Sequence, residues 1–309
     1  VVLLGDPFIF ILNLALLGAT ALLASLPGFT FGEQLRLIRD ETMALAFSGT
    51  CLATALGVSH LIIDDLNKGM VPLVMSRPVS PSAFVFGKWT GLAGVMGILL
   101  LSSGTACLWA TRVTHFEQEV EALGISVYLA VIVLTLLGMA VKNYLFRGAY
   151  VWQTNLVLTG VFILSFLLLN FFGYNGQSQR AYGYLVDWKS FYAFLFLFLA
   201  ILVYSAILAM FSMRVNQSML MIIAIILFFG GLLSQYLIGF VPFVDIQQVL
   251  QTVLPNWQIY WLSDWLSDNK AIPAGYVLGA VIHAFGQALF FLLVAVWLFK
   301  RKEIKGAMA

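Results

Sequence analysis

Charge is what this sequence has least of: 10% of its 309 residues are Asp, Glu, Lys or Arg, against about a quarter in a soluble domain. With 61% apolar residues, a compact body in water would expose large apolar patches, because too few charged side chains remain to cover it. That excludes a soluble enzyme or a secreted domain. Cysteine is scarce as well. Cys51 and Cys107 stand far from any His or Cys partner in sequence, so they read as small apolar side chains before they read as a disulfide or metal pair. A phosphate cradle is missing: the Gly87-Lys88 pair is followed by Trp89 and lacks the upstream glycine that a nucleotide-binding loop requires. The spans also lack the carboxylates that ion-coupled carriers hold near the bilayer midplane. His60 and His283 are their titratable candidates; far apart in sequence, they read as helix-contact histidines before metal ligands. The chain is therefore not expected to be an enzyme or to bind a metal or cofactor, and no nucleic-acid partner is expected.

What is present is length without charge. The stretches 7 to 32, 42 to 63, 89 to 111, 122 to 141, 148 to 179, 190 to 213, 215 to 244, 246 to 263 and 271 to 299 carry no charged residue. A hydrocarbon core of roughly 30 Å takes about 20 helical residues at about 1.5 Å each, and eight of the nine meet that with mostly apolar content. The exception, 246 to 263, carries Gln247, Gln248, Gln251, Pro255, Asn256 and Gln258 and reads as lying along an interface. Strands are excluded because the apolar residues run continuously instead of alternating in short segments. The expected fold is all-α, a polytopic membrane bundle of about eight transmembrane helices, with 1–309 as one membrane domain.

Eight spans put both ends on one side, and Lys and Arg decide which. Ten positives, Lys68, Arg77, Lys88, Lys142, Arg147, Arg214, Lys300, Arg301, Lys302 and Lys305, fall on the side of the termini. Six face the other way: Arg36, Arg39, Arg112, Arg180, Lys189 and Lys270. Cytoplasmic termini follow as the expectation. The chain begins with Val1 and enters its first span almost at once with no basic region before it, which points to a preceding segment rather than a cleaved signal peptide.

On the outer side, Trp257, Trp261 and Trp265 recur at intervals of four beside Asp264 and Asp268. This predicts an amphipathic helix within 246–268 whose tryptophans anchor in the headgroup layer, with a lid over a lipid-like pathway as the sharper alternative. Glu117, Glu119 and Glu121 form an acidic cluster that reads as a solvated loop before a cation site. Asn13, Asn170 and Gln287 are polar positions inside spans, where amides commonly join helices.

The longest inner segment, residues 64 to 88, reads DDLNKGMVPLVMSRPVSPSAFVFGK. Leu66, Met70 and Leu73 form an apolar stripe opposite Asp64, Asp65, Asn67 and Lys68, which predicts a short surface helix. Pro72 interrupts it, and Pro78 drives Arg77 from helical geometry. Ser80 followed by Pro81 predicts a helix start, and Lys88, two turns on, is placed to reach the headgroups. A solvated loop is the plain reading of these residues; a docking surface is the alternative.

This segment resembles the cytoplasmic connection after the second span in ABC-2 type transporter permeases. The likeness is carried without a gap by Asp64, Asp65, Gly69, Ser76, Arg77, Pro78, Val79, Ser80, Phe84, Gly87 and Lys88. Met70 stands where Thr is usual, Pro81 where a basic residue is usual and Asn67 where Glu is frequent. Weaker likeness extends to DPFIF at 6–10, FGEQLRLIRD at 31–40, SMRVNQSM at 212–219 and LPNWQIYWLSD at 254–264. Relatives of this class often have six spans. The resemblance implies a permease, an exporter by preference, in the cytoplasmic (inner) membrane of a bacterium. It would pair with a second copy or a paralogue among the membrane lipids and be driven by a cytoplasmic ABC ATPase dimer that holds ATP and Mg. It further implies that Asp64, Asp65, Gly69, Arg77, Pro78, Ser80, Phe84 and Lys88 couple the membrane helices to that ATPase. A non-transporting membrane scaffold is the alternative, motivated by the three departures. No residue is assigned to substrate.

Overall fold

The computed structural model describes residues 2–25, 33–67, 80–116, 119–177, 181–243, 245, 247, 250–251, 254–267 and 272–307. The described residues are helical and contain no strand. Eight of their helices are long and apolar enough to cross a membrane. These are α1 (Pro7–Ser25), α2 (Gln34–Val58), α3 (Pro81–Val113), α4 (Ala122–Phe146), α5 (Tyr150–Leu169), α6 (Ser190–Ser212), α7 (Gln217–Gly239) and α8 (Ala274–Ala307). Beyond Val58, α2 continues through a π turn, Ser59–Ile63, into a last turn, Asp64–Asn67.

Side-chain caps set several of the boundaries. Asp6 Oδ1 accepts from Phe8 N at 2.8 Å ahead of α1, with Pro7 as the first helical residue. Ser80 Oγ accepts from Ala83 N at 3.2 Å ahead of α3, so the Ser80-Pro81 start occurs as the sequence predicts. Asn216 Oδ1 accepts from Met219 N at 2.9 Å ahead of α7. Each satisfies an amide that helix geometry leaves without an intrahelical partner.

Where composition suggests one domain, the chain packs as two compact units, each assembled from separated segments. The first comprises Val1–Gly49, Gly97–Leu195 and Leu266–Asp268. Its core is built around Trp109, whose ring lies 4.9 Å from Phe162, 5.1 Å from Tyr128 and 5.8 Å from Phe166. The two polar handles in this aromatic cluster are both used: Trp109 Nε1 donates to Gly124 O at 3.0 Å, and Tyr128 Oη donates to Leu17 O at 2.8 Å. Such pairing is what permits Trp and Tyr to be buried at all.

The second unit comprises Thr50–Met96, Phe196–Trp265 and Asn269–Ala309. Here Trp257 is 2% exposed, with Nε1 donating to Phe228 O at 3.1 Å and its ring edge-on to Tyr204. Gly231 on α7 makes room for it, since a Cβ at that position would fall inside the indole.

The predicted outer helix is corrected by these contacts. Trp257–Tyr260 is a single 3-10 turn capped by Asn256, Trp261 is extended, and a five-residue helix, Ser263–Ser267, follows. Trp257, Trp261 and Trp265 therefore do not share one helical face. Trp257 anchors the chain inside the fold rather than in a headgroup layer, because α7 offers its indole a slot and a carbonyl. Trp261 is half-buried, and Trp265, also half-buried, stacks on Tyr276 at 5.8 Å. Asp268 lies outside the described residues.

Candidate functional site

The end of α2 and the start of α3 meet in the second unit, on either side of the segment singled out by sequence. The π turn at Ser59–Ile63 widens α2 one turn before Asp64 and Asp65, a departure that often accompanies functional positions in helices. Asp65 pairs with Lys88 through Oδ2 and Nζ, with 21% and 27% of the two side chains exposed. Lys88 thus turns to a carboxylate instead of reaching outward, and its ammonium also sits 5.6 Å from the centre of the Phe84 ring. Phe84 is buried and stacks on Phe299 of α8 at 5.2 Å with 15° between the planes. One residue after Lys88, Trp89 Nε1 donates to Ser205 Oγ of α6 at 2.9 Å. The first three turns of α3 are thereby tied to α2, α6 and α8. Of the predicted coupling residues the structure brings together Asp65, Phe84 and Lys88. Asp64 is half-buried, and Ser80 is exposed and serves as the cap. Gly69, Arg77 and Pro78 lie outside the described residues, as does most of the predicted surface helix.

No known protein family, curated protein or solved structure matches this chain. The site is read from its own chemistry.

The second unit also carries a groove of about 510 Å³ along α8, whose walls include Gly279, Ile282, His283, Gly286, Gln287 and Phe290. His283 Nδ1 lies 3.0 Å from Tyr260 Oη. Burial first, then the neighbouring Tyr276, push the Tyr260 phenol up, so it stays neutral and able to hydrogen-bond. His60, by contrast, is exposed within the π turn of α2. Among the described residues no group of three or more His, Cys, Asp or Glu is placed to hold a metal ion. Cys51 and Cys107 are free and buried, and Cys107 Sγ accepts from Thr42 Oγ1 at 3.0 Å.

The first unit holds two ionic clusters built on arginines that the sequence assigns to the outer side. Arg112 and Glu121 are both 0% exposed. Arg112 Nε and Nη2 donate to the two oxygens of Glu121 at 3.0 Å each. Its remaining contacts go to Leu169 O, Asn170 Oδ1 and Phe172 O at 2.9, 3.0 and 3.1 Å. Asn175 N donates to Glu121 Oε1 at 3.1 Å, so the carboxylate is also met twice over. The solvated-loop expectation is corrected at Glu121. Glu119 accepts from Tyr174 Oη at 3.2 Å, and Glu117 lies outside the described residues. A second cluster pairs Arg39, 4% exposed at its side chain, with Asp187 at 3.4 Å, and Ser190 Oγ donates to the same carboxylate oxygen at 2.8 Å. Arg112 and Arg39 read in sequence as loop charges because spacing carries no sign of which carbonyls will converge on them. The predicted role of amides in joining helices holds for Asn13, whose Nδ2 donates to Asn155 Oδ1 at 2.7 Å.

Proposed function

We propose that this chain is the membrane-spanning subunit of an ATP-driven ABC-2 type transporter, an exporter coupled to a separate cytoplasmic ATPase through residues 64–88. The observation that supports it most is the pairing of Asp65 with Lys88 at the two ends of that segment, together with the Phe84–Phe299 stack. A displacement of the segment by a partner would be passed through these contacts to three helices, which is what mechanical coupling requires. The subunit would work with a second copy or a paralogue and two ATPases that hold ATP and Mg, with both termini in the cytoplasm and the complex in a bacterial inner membrane. Its task would be to bind substrate differently in inward- and outward-facing states, with nucleotide supplying the bias. No substrate bond is broken by this chain in that scheme.

Purification in mild detergent with its neighbours tests the reading. A stoichiometric ATPase whose turnover falls several-fold on Gly69→Val or Arg77→Ala substitution is the expected result. A stable complex without an ATPase would favour the scaffold, for which the departures at Asn67, Met70 and Pro81 speak. Substrate flux in liposomes containing this chain alone would instead favour a carrier or channel.

A further inference from the structure

Three polar side chains converge in the interior of the first unit. Asn13 of α1 donates through Nδ2 to Asn155 Oδ1 of α5 at 2.7 Å, and Ser102 of α3 donates to Asn13 Oδ1 at 2.9 Å. All three are 0% exposed. Helices that cross in succession alternate in direction, so α1, α3 and α5 run the same way. At about 1.5 Å per residue, Asn13 lies about 18 Å from the end of α1 at Ser25. Counted in the same way, Ser102 is about 16 Å from Val113 and Asn155 about 21 Å from Leu169. Counted from the other ends, Asn13 lies about 9 Å past Pro7 and Asn155 about 8 Å past Tyr150, so the node sits within the apolar lengths of α1 and α5, nearer their first residues.

In the structure Ser102 Oγ is the donor to the Asn13 amide. With Asn13 Oδ1 accepting from Ser102, Asn13 Nδ2 must face Asn155 Oδ1, which turns Asn155 Nδ2 away from the pair. That nitrogen is buried and has no partner among the described residues, and Thr159 Oγ1 is in the same condition. Thr159 is 6% exposed and lies one turn beyond Asn155 on the same face of α5. Thr20, Thr105 and Thr114 of this unit return their hydroxyls to their own helix, to Leu16 O, Leu101 O and Ala110 O, whereas Thr154 Oγ1, beside Asn155, is buried without a partner among the described residues. Thr159 does not return its hydroxyl either, so it is left available. Side chains four apart on a helix have Cβ atoms about 5–6 Å from each other, so Asn155 and Thr159 share one patch of α5. Buried polar groups of this kind are the usual partners of internal water.

We propose that the Asn13–Ser102–Asn155 node is a buried hydration site inside the first unit, where a water accepts from Asn155 Nδ2 and bonds to Thr159 Oγ1. The site is independent of whether the chain couples to an ATPase. It gives the α1–α3–α5 junction a polar, exchangeable component.

Water-edited solid-state NMR on the full chain in lipid bilayers, with asparagine labelled at Nδ2, tests the first contact. The Asn155 signal is assigned by its loss in Asn155→Asp. Rapid polarisation transfer from water to Asn155 Nδ2 is the expected result. The second contact is tested by the sign of the Tm change in Thr159→Val, a near-isosteric removal of the hydroxyl. A hydrated hydroxyl makes the variant melt lower, whereas a dry unpartnered one makes it melt higher. Either a dry Asn155 Nδ2 or a stabilised Thr159→Val protein overturns the proposal.

Discussion

In the first unit the Arg112–Glu121 pair joins the end of α3, the start of α4 and the end of α5 with neither side chain exposed. In the second, the Asp65–Lys88 pair joins α2 to α3 with roughly a quarter of each side chain open. The first is a planar guanidinium with every edge used; the second is a compact ammonium on a flexible stem. Desolvation makes the first costly to form and costlier to break, since removing one partner leaves a buried charge. Solvent screening makes the second inexpensive to separate and re-form. The difference suits a fixed joint in one unit and an adjustable one in the other.

Arg112→Ala is the largest test of that contrast. It is expected to cost about 3–5 kcal/mol, read as loss of folded yield and a large fall in Tm in detergent. Arg112→Met combined with Glu121→Leu should recover much of the loss, because no charge is then stranded. A double variant as unstable as the single would show that charge is not what the joint depends on. Gly231→Ala comes next, at about 1–3 kcal/mol, because the added methyl overlaps the Trp257 indole; a Tm equal to wild type would mean Trp257 can leave its slot freely. Ser80→Ala removes the cap of α3 at about 1 kcal/mol, and Ser80→Asp should retain the stability that alanine loses. Lys88→Ala is the smallest, under about 1 kcal/mol, and the gap between it and wild type should narrow with added salt. If Lys88→Ala proved as damaging as Arg112→Ala, the two joints would be alike and the contrast would fail.

The helices were legible because each is a long run of apolar residues, and continuous burial in hydrocarbon demands nothing more specific than that. The α3 start was legible for a local reason: Ser80 and Pro81 act on amides within their own first turn. The outer tryptophans were not, since their four-residue spacing describes a helix that forms only if nothing better is offered to Trp257. Gly231 and the Phe228 carbonyl, some thirty residues earlier in the chain, offer it something better. Likewise Glu121 sits in a run of acids that resembles any wet loop until Arg112, Asn175 and the end of α5 close around it. Lys88 lies along α3 where the sequence predicts, but its ammonium meets Asp65 instead of the headgroups, because Asp65 becomes its neighbour only when the chain doubles back. The likeness to ABC-2 permeases rests on residues 64–88, and Gly69, Arg77 and Pro78 within them lie outside the described residues.

By itself the sequence determined that this protein is a bundle of helices of membrane length, since composition and run length act through solvent and need no knowledge of neighbours. Only the tertiary structure decided which of its few polar groups are buried together. Asn13 with Asn155, Arg112 with Glu121 and Asp65 with Lys88 are chosen by which helix faces meet. A charge or an amide in an apolar chain is satisfied by whatever partner folding delivers to it, and sequence distance does not encode that delivery.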